Sequence, residues 1–200
     1  MSFSENLLTM IAVERQKIPQ LCLESRSVFL RNLQCLLTVM QASELLLYLA
    51  TRSLGDTLPA VRDYYVRHAE EEAGHAKWLQ EDIGELHSAT LPREAIALAG
   101  SAYYMVLHVS PVALLGYMAV LECFPMENSQ VEFLESLHGK QLLRTIRIHA
   151  DADKQHGADI LTLLDGLPEQ YQSCVQEMAL ITCQLLAELA TSIIRDTSHE

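Results

Sequence analysis

His149-Ala-Asp-Ala-Asp153-Lys-Gln-His156 packs two histidines and two aspartates into eight residues. At roughly 100° per helical residue, positions 149, 153 and 156 fall near 0°, 40° and −20° around the axis, so two imidazoles and a carboxylate share one stripe. An echo lies upstream, where His68, Glu72 and His75 occupy an arc of about 60° by the same arithmetic. A carboxylate three residues before an imidazole thus occurs twice, as Glu72/His75 and Asp153/His156. Helix bundles build dinuclear carboxylate centres from such pairs on two helices, with one further glutamate from each of two others. A chain carrying this pattern is therefore expected to be all-α.

The two further glutamates are present. Glu44 follows Leu33, Leu37 and Met40 at helical spacing, a register that turns it toward the core. Glu122 ends Leu114-Leu-Gly-Tyr-Met-Ala-Val-Leu-Glu122, and no Asp, Glu, Lys or Arg lies between Glu94 and it. A bare carboxylate in such a segment is costly unless it is paired or metal-bound. The lone glutamate precedes the paired carboxylate by 28 residues in one half and 31 in the other. That interval fits one helix, a turn and part of the next.

Each piece has a bland counterpart. A lone histidine on an apolar face is ordinarily a hydrogen-bonded core residue, and Glu70, Glu71 and Glu72 resemble a solvated helix face. Val61, Leu79, Ile83 and Leu86 lie on the side of Glu72, whereas Glu71 falls at its edge, so Glu72 is the preferred ligand. His68 reads as a ligand or as a group orienting one. Cys123 follows Glu122 directly and points about 100° away from it. The joint pattern, more than any member of it, points to metal: Glu44, Glu72, His75, Glu122, His149, Asp153 and His156 are the expected ligands. Tyr64, on the side of His75, and His68 are the candidates for a catalytic role, and Leu115 and Met118 share the face of Glu122.

Composition bounds the rest. Two hundred residues, half of them apolar, suit one domain spanning 1–200 with a sizeable core. The 26 acids against 14 Lys plus Arg argue against nucleic acid or an anionic membrane as partner. Five cysteines without a Cys-x-x-Cys pair read as reduced thiols, and the N-terminus lacks a signal-type apolar core, so a cytoplasmic location is expected. Ala95 to Leu121 is long enough and uncharged enough to imitate a membrane span, but Ser110-Pro111 interrupts it, and two helices buried in a bundle are the preferred reading. Helices are expected over about 4–17, 20–53, from Pro59 to about His87, after a cap at Ser88–Pro92, from Pro111 to Phe124, over 127–138, from about 140 to Leu164, and from about Pro168 onward.

His68-Ala-Glu-Glu-Glu-Ala-Gly-His75, Leu115-Gly-Tyr-Met-Ala-Val-Leu-Glu122 and His149-x3-Asp153-x2-His156 resemble the heme-oxygenase-like diiron oxidases and oxygenases. That superfamily includes the CADD-type p-aminobenzoate synthases and is related in fold to thiaminase-II-like and PqqC-like proteins. The resemblance runs from about Glu44 to Leu164. It implies a single-domain bundle of about seven helices and two iron ions (manganese the alternative) that use dioxygen to oxidise a small organic substrate, as in a biosynthetic pathway. It further implies that Glu122 bridges or flanks the irons, with His75, His149, Asp153 and His156 as ligands. His68 stands where some relatives carry a glutamate, so Glu72 or Glu44 is expected to supply that carboxylate. A small molecule is the expected partner, with a homodimer left open. The alternatives are a metal-free enzyme of the thiaminase-II-like or PqqC-like sort, and a metal-binding module without turnover.

Overall fold

The computed structural model describes residues 1–86 and 91–198, and these form nine α-helices and no strand. They are α1 (Phe3–Arg15), α2 (Arg26–Leu54), α3 (Pro59–Glu72), α4 (His75–Ile83), α5 (Arg93–Tyr104), α6 (Leu114–Glu122), α7 (Asn128–His138), α8 (Arg144–Asp165) and α9 (Glu169–Thr197). Local chemistry sets several starts. Ser2 and Glu5 close a capping box on α1, and Pro59 opens α3, where its missing N–H removes no helical bond. The cap expected at 88–90 and the helix end near 87 lie outside the described residues.

One expectation is corrected and another holds. The helix expected from Pro59 to about 87 is two helices, because Ala73 turns extended and Gly74 adopts a φ of 89°, a left-handed conformation that glycine accepts without strain. The apolar run Ala95–Leu121 divides as the Ser110-Pro111 pair predicts. It leaves α5 through a π turn at Met105–Val109 and re-enters through a 3-10 turn at Pro111–Ala113, where the Ser110 hydroxyl accepts from the Val112 N–H at 3.3 Å. Two other helices, α2 and α9, are long and apolar enough to cross a membrane by length and composition, and about half of each apolar window is packed inside the bundle.

The core has two parts. The larger joins α1, α2, α3, α5, α6 and α9 around residues such as Leu7, Leu46, Tyr65, Leu98, Leu115 and Met178. The smaller joins the first half of α2 to α4, α7 and α8 through Phe29, Leu33, Leu79, Val131, Leu143 and Ile146. Along α8 the smaller core ends at Ala150 and the larger begins at Ile160. The same change of core occurs between α3 and α4. Both changes coincide with the histidines and acids singled out by the sequence, which therefore lie on the seam between two apolar masses.

Candidate metal centre

The start of α8 is fixed first. Asp82, buried at the end of α4, accepts from the Thr145 N–H at 3.0 Å and the Thr145 hydroxyl at 2.6 Å, and its other oxygen meets Arg144 Nε at 2.8 Å. A carboxylate on a helix N-terminus satisfies an orphan donor and complements the helix dipole. One turn further, His149 Nδ1 lies 3.0 Å from the Thr145 carbonyl oxygen, to which it donates. That bond leaves Nε2 turned into the site as the available ligand atom.

Three overlapping groups bring ligand atoms within 4.8 Å of one another: Glu72/His75/His149, Glu122/Asp153/His156, and His68/Glu72/His156. In the first, Glu72 Oε1 lies 3.2 Å from His75 Nδ1 and 3.5 Å from His149 Nε2. In the second, His156 Nδ1 lies 3.5 Å from Asp153 Oδ1 and 3.7 Å from Glu122 Oε2. His68 Nε2 joins from α3, at 3.4 Å from Glu122 Oε1. Six of the seven expected ligands thus converge, together with His68.

Glu44 does not. Its side chain is exposed, and its Oε1 accepts from the Gly74 N–H at 2.7 Å, which ties α2 to the α3–α4 break. The expectation that it faces the core fails because α2 turns its register outward here, leaving Leu45 and Tyr48 exposed as well. Glu71, placed at the edge by helical arithmetic, reaches the cluster instead. It stands on the last turn of α3, 43% exposed, with Oε2 at 3.2 Å from His156 Nε2 and 3.7 Å from His68 Nδ1. Four carboxylates therefore face four imidazoles.

Burial governs the electrostatics. It would raise the Glu72 carboxyl, but hydrogen bonds and charge from His149 and His75 outweigh it, so Glu72 is held well below the usual carboxylate range. For His149 burial works against the charged form, yet Glu72 and the Thr145 carbonyl carry its pKa up to about 9. His156 is raised as well: Asp153, Glu122 and Glu71 overcome its desolvation. Glu122 goes the other way, since burial raises it despite His68. Burial followed by the charges of Glu122 and Asp153 pushes the Cys123 thiol up to about 12, which favours its protonated form.

The donor set fits a metal. His68 Nδ1, Glu122 Oε2, Asp153 Oδ1 and His156 Nδ1 are all buried without a hydrogen-bond partner. Buried polar atoms are ordinarily paired. Here three of them face one another at separations suited to bonds of about 2 Å to a common cation. Tyr64 stacks on His68 with ring centroids 5.4 Å apart, and its hydroxyl too is unpaired. A cavity of about 240 Å³ adjoins the cluster, with His68, Glu72, Glu122, His149 and Asp153 on its wall. Met118 lines it as the register of α6 suggests, whereas Leu115 is buried elsewhere in the core.

No protein-family model matches the sequence, and no curated protein matches it. Solved structures do. A domain of unknown function with a heme oxygenase-like fold from Shewanella denitrificans superposes with a TM-score of 0.78 at 17% identity, covering 97% of this chain and 91% of that one. A TenA homologue from Pseudomonas syringae pv. tomato gives a TM-score of 0.74 at 13% identity, covering 96% and 93%. The protein has the heme-oxygenase-like fold. At these identities the likeness describes the fold, and what the site does must be argued from its own residues.

Proposed function

We propose that this protein is a non-heme diiron enzyme that uses dioxygen to oxidise a small organic molecule. One observation carries the reading: buried, unpartnered imidazole and carboxylate atoms of His156, Asp153 and Glu122 face one another beside a second cluster of Glu72, His75 and His149. Nitrogen and carboxylate oxygen donors without thiolate suit iron or manganese. The residues that would hold one ion are Glu72, His75 and His149; those for the other are Glu122, Asp153 and His156, with His68 and Glu71 in reach. Bound iron supplies the electrons and open coordination positions for dioxygen chemistry, which amino-acid side chains lack.

The chain's own part is to bind and orient. The Thr145 carbonyl holds the His149 ring in one tautomer, and Asp82 holds Thr145. Leu46, Leu114, Met118 and Ile146 keep water scarce on the cavity wall. In the metal-free state the proton on His149 is retained by Glu72, and metal must displace it.

The competing reading is a metal-free enzyme of the kind the TenA homologue's fold allows, in which the histidines perform acid–base work. The protonated state of Cys123 disfavours a thiolate version of it. Anaerobic iron(II) titration followed by dioxygen exposure separates the readings. About two ions per chain are expected, with dioxygen consumed on exposure. Binding near zero refutes the metal reading, and binding without dioxygen uptake leaves a metal-binding module.

A further inference from the structure

The second half of α2 turns a stripe of side chains to solvent. At roughly 100° per residue, Gln41, Glu44, Leu45, Tyr48 and Arg52 fall within an arc of about 100°, and all five are exposed. The end of α5 lies alongside. Glu94, in the first turn of α5, stands close enough to Cys35 to act on its thiol, and the Tyr103 hydroxyl donates to the Ala42 carbonyl at 3.3 Å. Two links in the same order along both helices make α5 run parallel to α2. The π turn at Met105–Val109 therefore comes beside the part of α2 that follows Ala42, and the two are in contact. That turn also faces water, with Tyr104, Leu107, His108 and Val109 exposed.

Leu45, Tyr48, Tyr104, Leu107 and Val109 are each 49–63% exposed. At roughly 150–250 Å² for a large side chain, the five present on the order of 500 Å² of apolar surface. That lies toward the top of the roughly 300–600 Å² typical of the largest patch on a monomer. With Gln41, Glu44, Arg52 and His108 as a polar rim, the face approaches the roughly 800 Å² per partner of a specific interface.

The charges on the stripe say what fits it. Glu44 stands four residues before Tyr48 and Arg52 four after it, about one helical turn to either side. Glu44 commits one oxygen to the Gly74 N–H; its other oxygen and the Arg52 guanidinium have no partner among the described residues. Laid antiparallel across a two-fold axis at Tyr48, a second α2 would set each Glu44 against the other copy's Arg52, with Leu45 and Tyr48 between them. A parallel pairing would set Glu44 against Glu44 and Arg52 against Arg52. A lipid surface would take both charges out of water unpaired.

We propose that this face docks a second copy of the chain, in a two-fold dimer whose α2 helices pack antiparallel around Tyr48 with the π turns at the flanks. Such an interface uses one patch on both sides, so no second surface is required. It does not draw on the metal reading.

The test is sedimentation equilibrium of metal-free full-length protein. Wild type should be dimeric at about 50 µM, and Tyr48→Glu monomeric. Arg52→Glu alters a solvated position, so it should keep the wild-type circular dichroism while weakening the dimer at least about tenfold, because carboxylates then meet at both ends of the pairing. The double reversal Glu44→Arg with Arg52→Glu should recover most of that loss. A monomeric wild type, a dimer equally tight in Tyr48→Glu and Arg52→Glu, or a double reversal no tighter than Arg52→Glu would each overturn the proposal. So would a monomer that binds phosphatidylcholine vesicles and loses them in Tyr48→Glu, which would give the face to lipid.

Discussion

Gly116→Ala is the substitution whose consequence follows most directly from the packing. Gly116 lies on α6 where that helix crosses α9, and a Cβ there would stand 2.1 Å from the Val175 carbonyl oxygen and 3.0 Å from the Ala179 nitrogen. Both partners are backbone and cannot rotate away, so the helices must part by about 1 Å, and overpacking of this kind costs roughly 3 kcal/mol. Alanine's better helix propensity returns about 1 kcal/mol. The net loss of about 2 kcal/mol corresponds to a midpoint lower by roughly 4–8 °C for a domain of this size. The displacement should also reach the site, because Glu122 ends the same helix. Thermal unfolding followed by circular dichroism gives the first number, and iron titration gives the second. A midpoint equal to or above that of wild type would show that propensity outweighs the contact and that the α6–α9 approach does not position Glu122.

Three further outcomes are expected. Glu122→Gln should leave the metal-free midpoint unchanged or raised, since burial already disfavours the charged carboxylate, while iron stoichiometry falls to about one per chain; retention of both ions would remove Glu122 from the centre. Glu44→Ala should cost about 1 kcal/mol or less through loss of its bond to the Gly74 N–H, with unchanged iron stoichiometry; loss of an ion would restore Glu44 as a ligand. The His149–Glu72 pair should make metal-free protein pH-sensitive: His149 is raised from its ordinary 6.5 to about 9, so its contribution is complete below 6.5 and disappears as pH rises through 9. The stake is on the order of 3 kcal/mol, readable by urea denaturation at pH 6 and pH 10, and His149→Gln should flatten that slope; an equally steep slope in the variant would refute the assignment.

The sequence by itself determined what is local to a helix. The stripe of His149, Asp153 and His156 depends only on helical period, and those three side chains do share a face of α8. Glu122 was legible because a charge in so apolar a run has few uses, and the all-α class followed from the same periodicities. What the tertiary structure decided is everything that depends on how one helix is set against another. Continuous-helix arithmetic over Glu72 and His75 could not foresee the left-handed turn at Gly74 that separates them and allows Glu71 to reach His156. Nor could it show that Glu44 would be drawn to the Gly74 N–H, because that bond joins residues thirty apart. Asp82 beneath α8 left no mark in spacing or composition. Helical period is set by bonds four residues apart, whereas a ligand set assembled from α3, α4, α6 and α8 is set by core packing between distant segments.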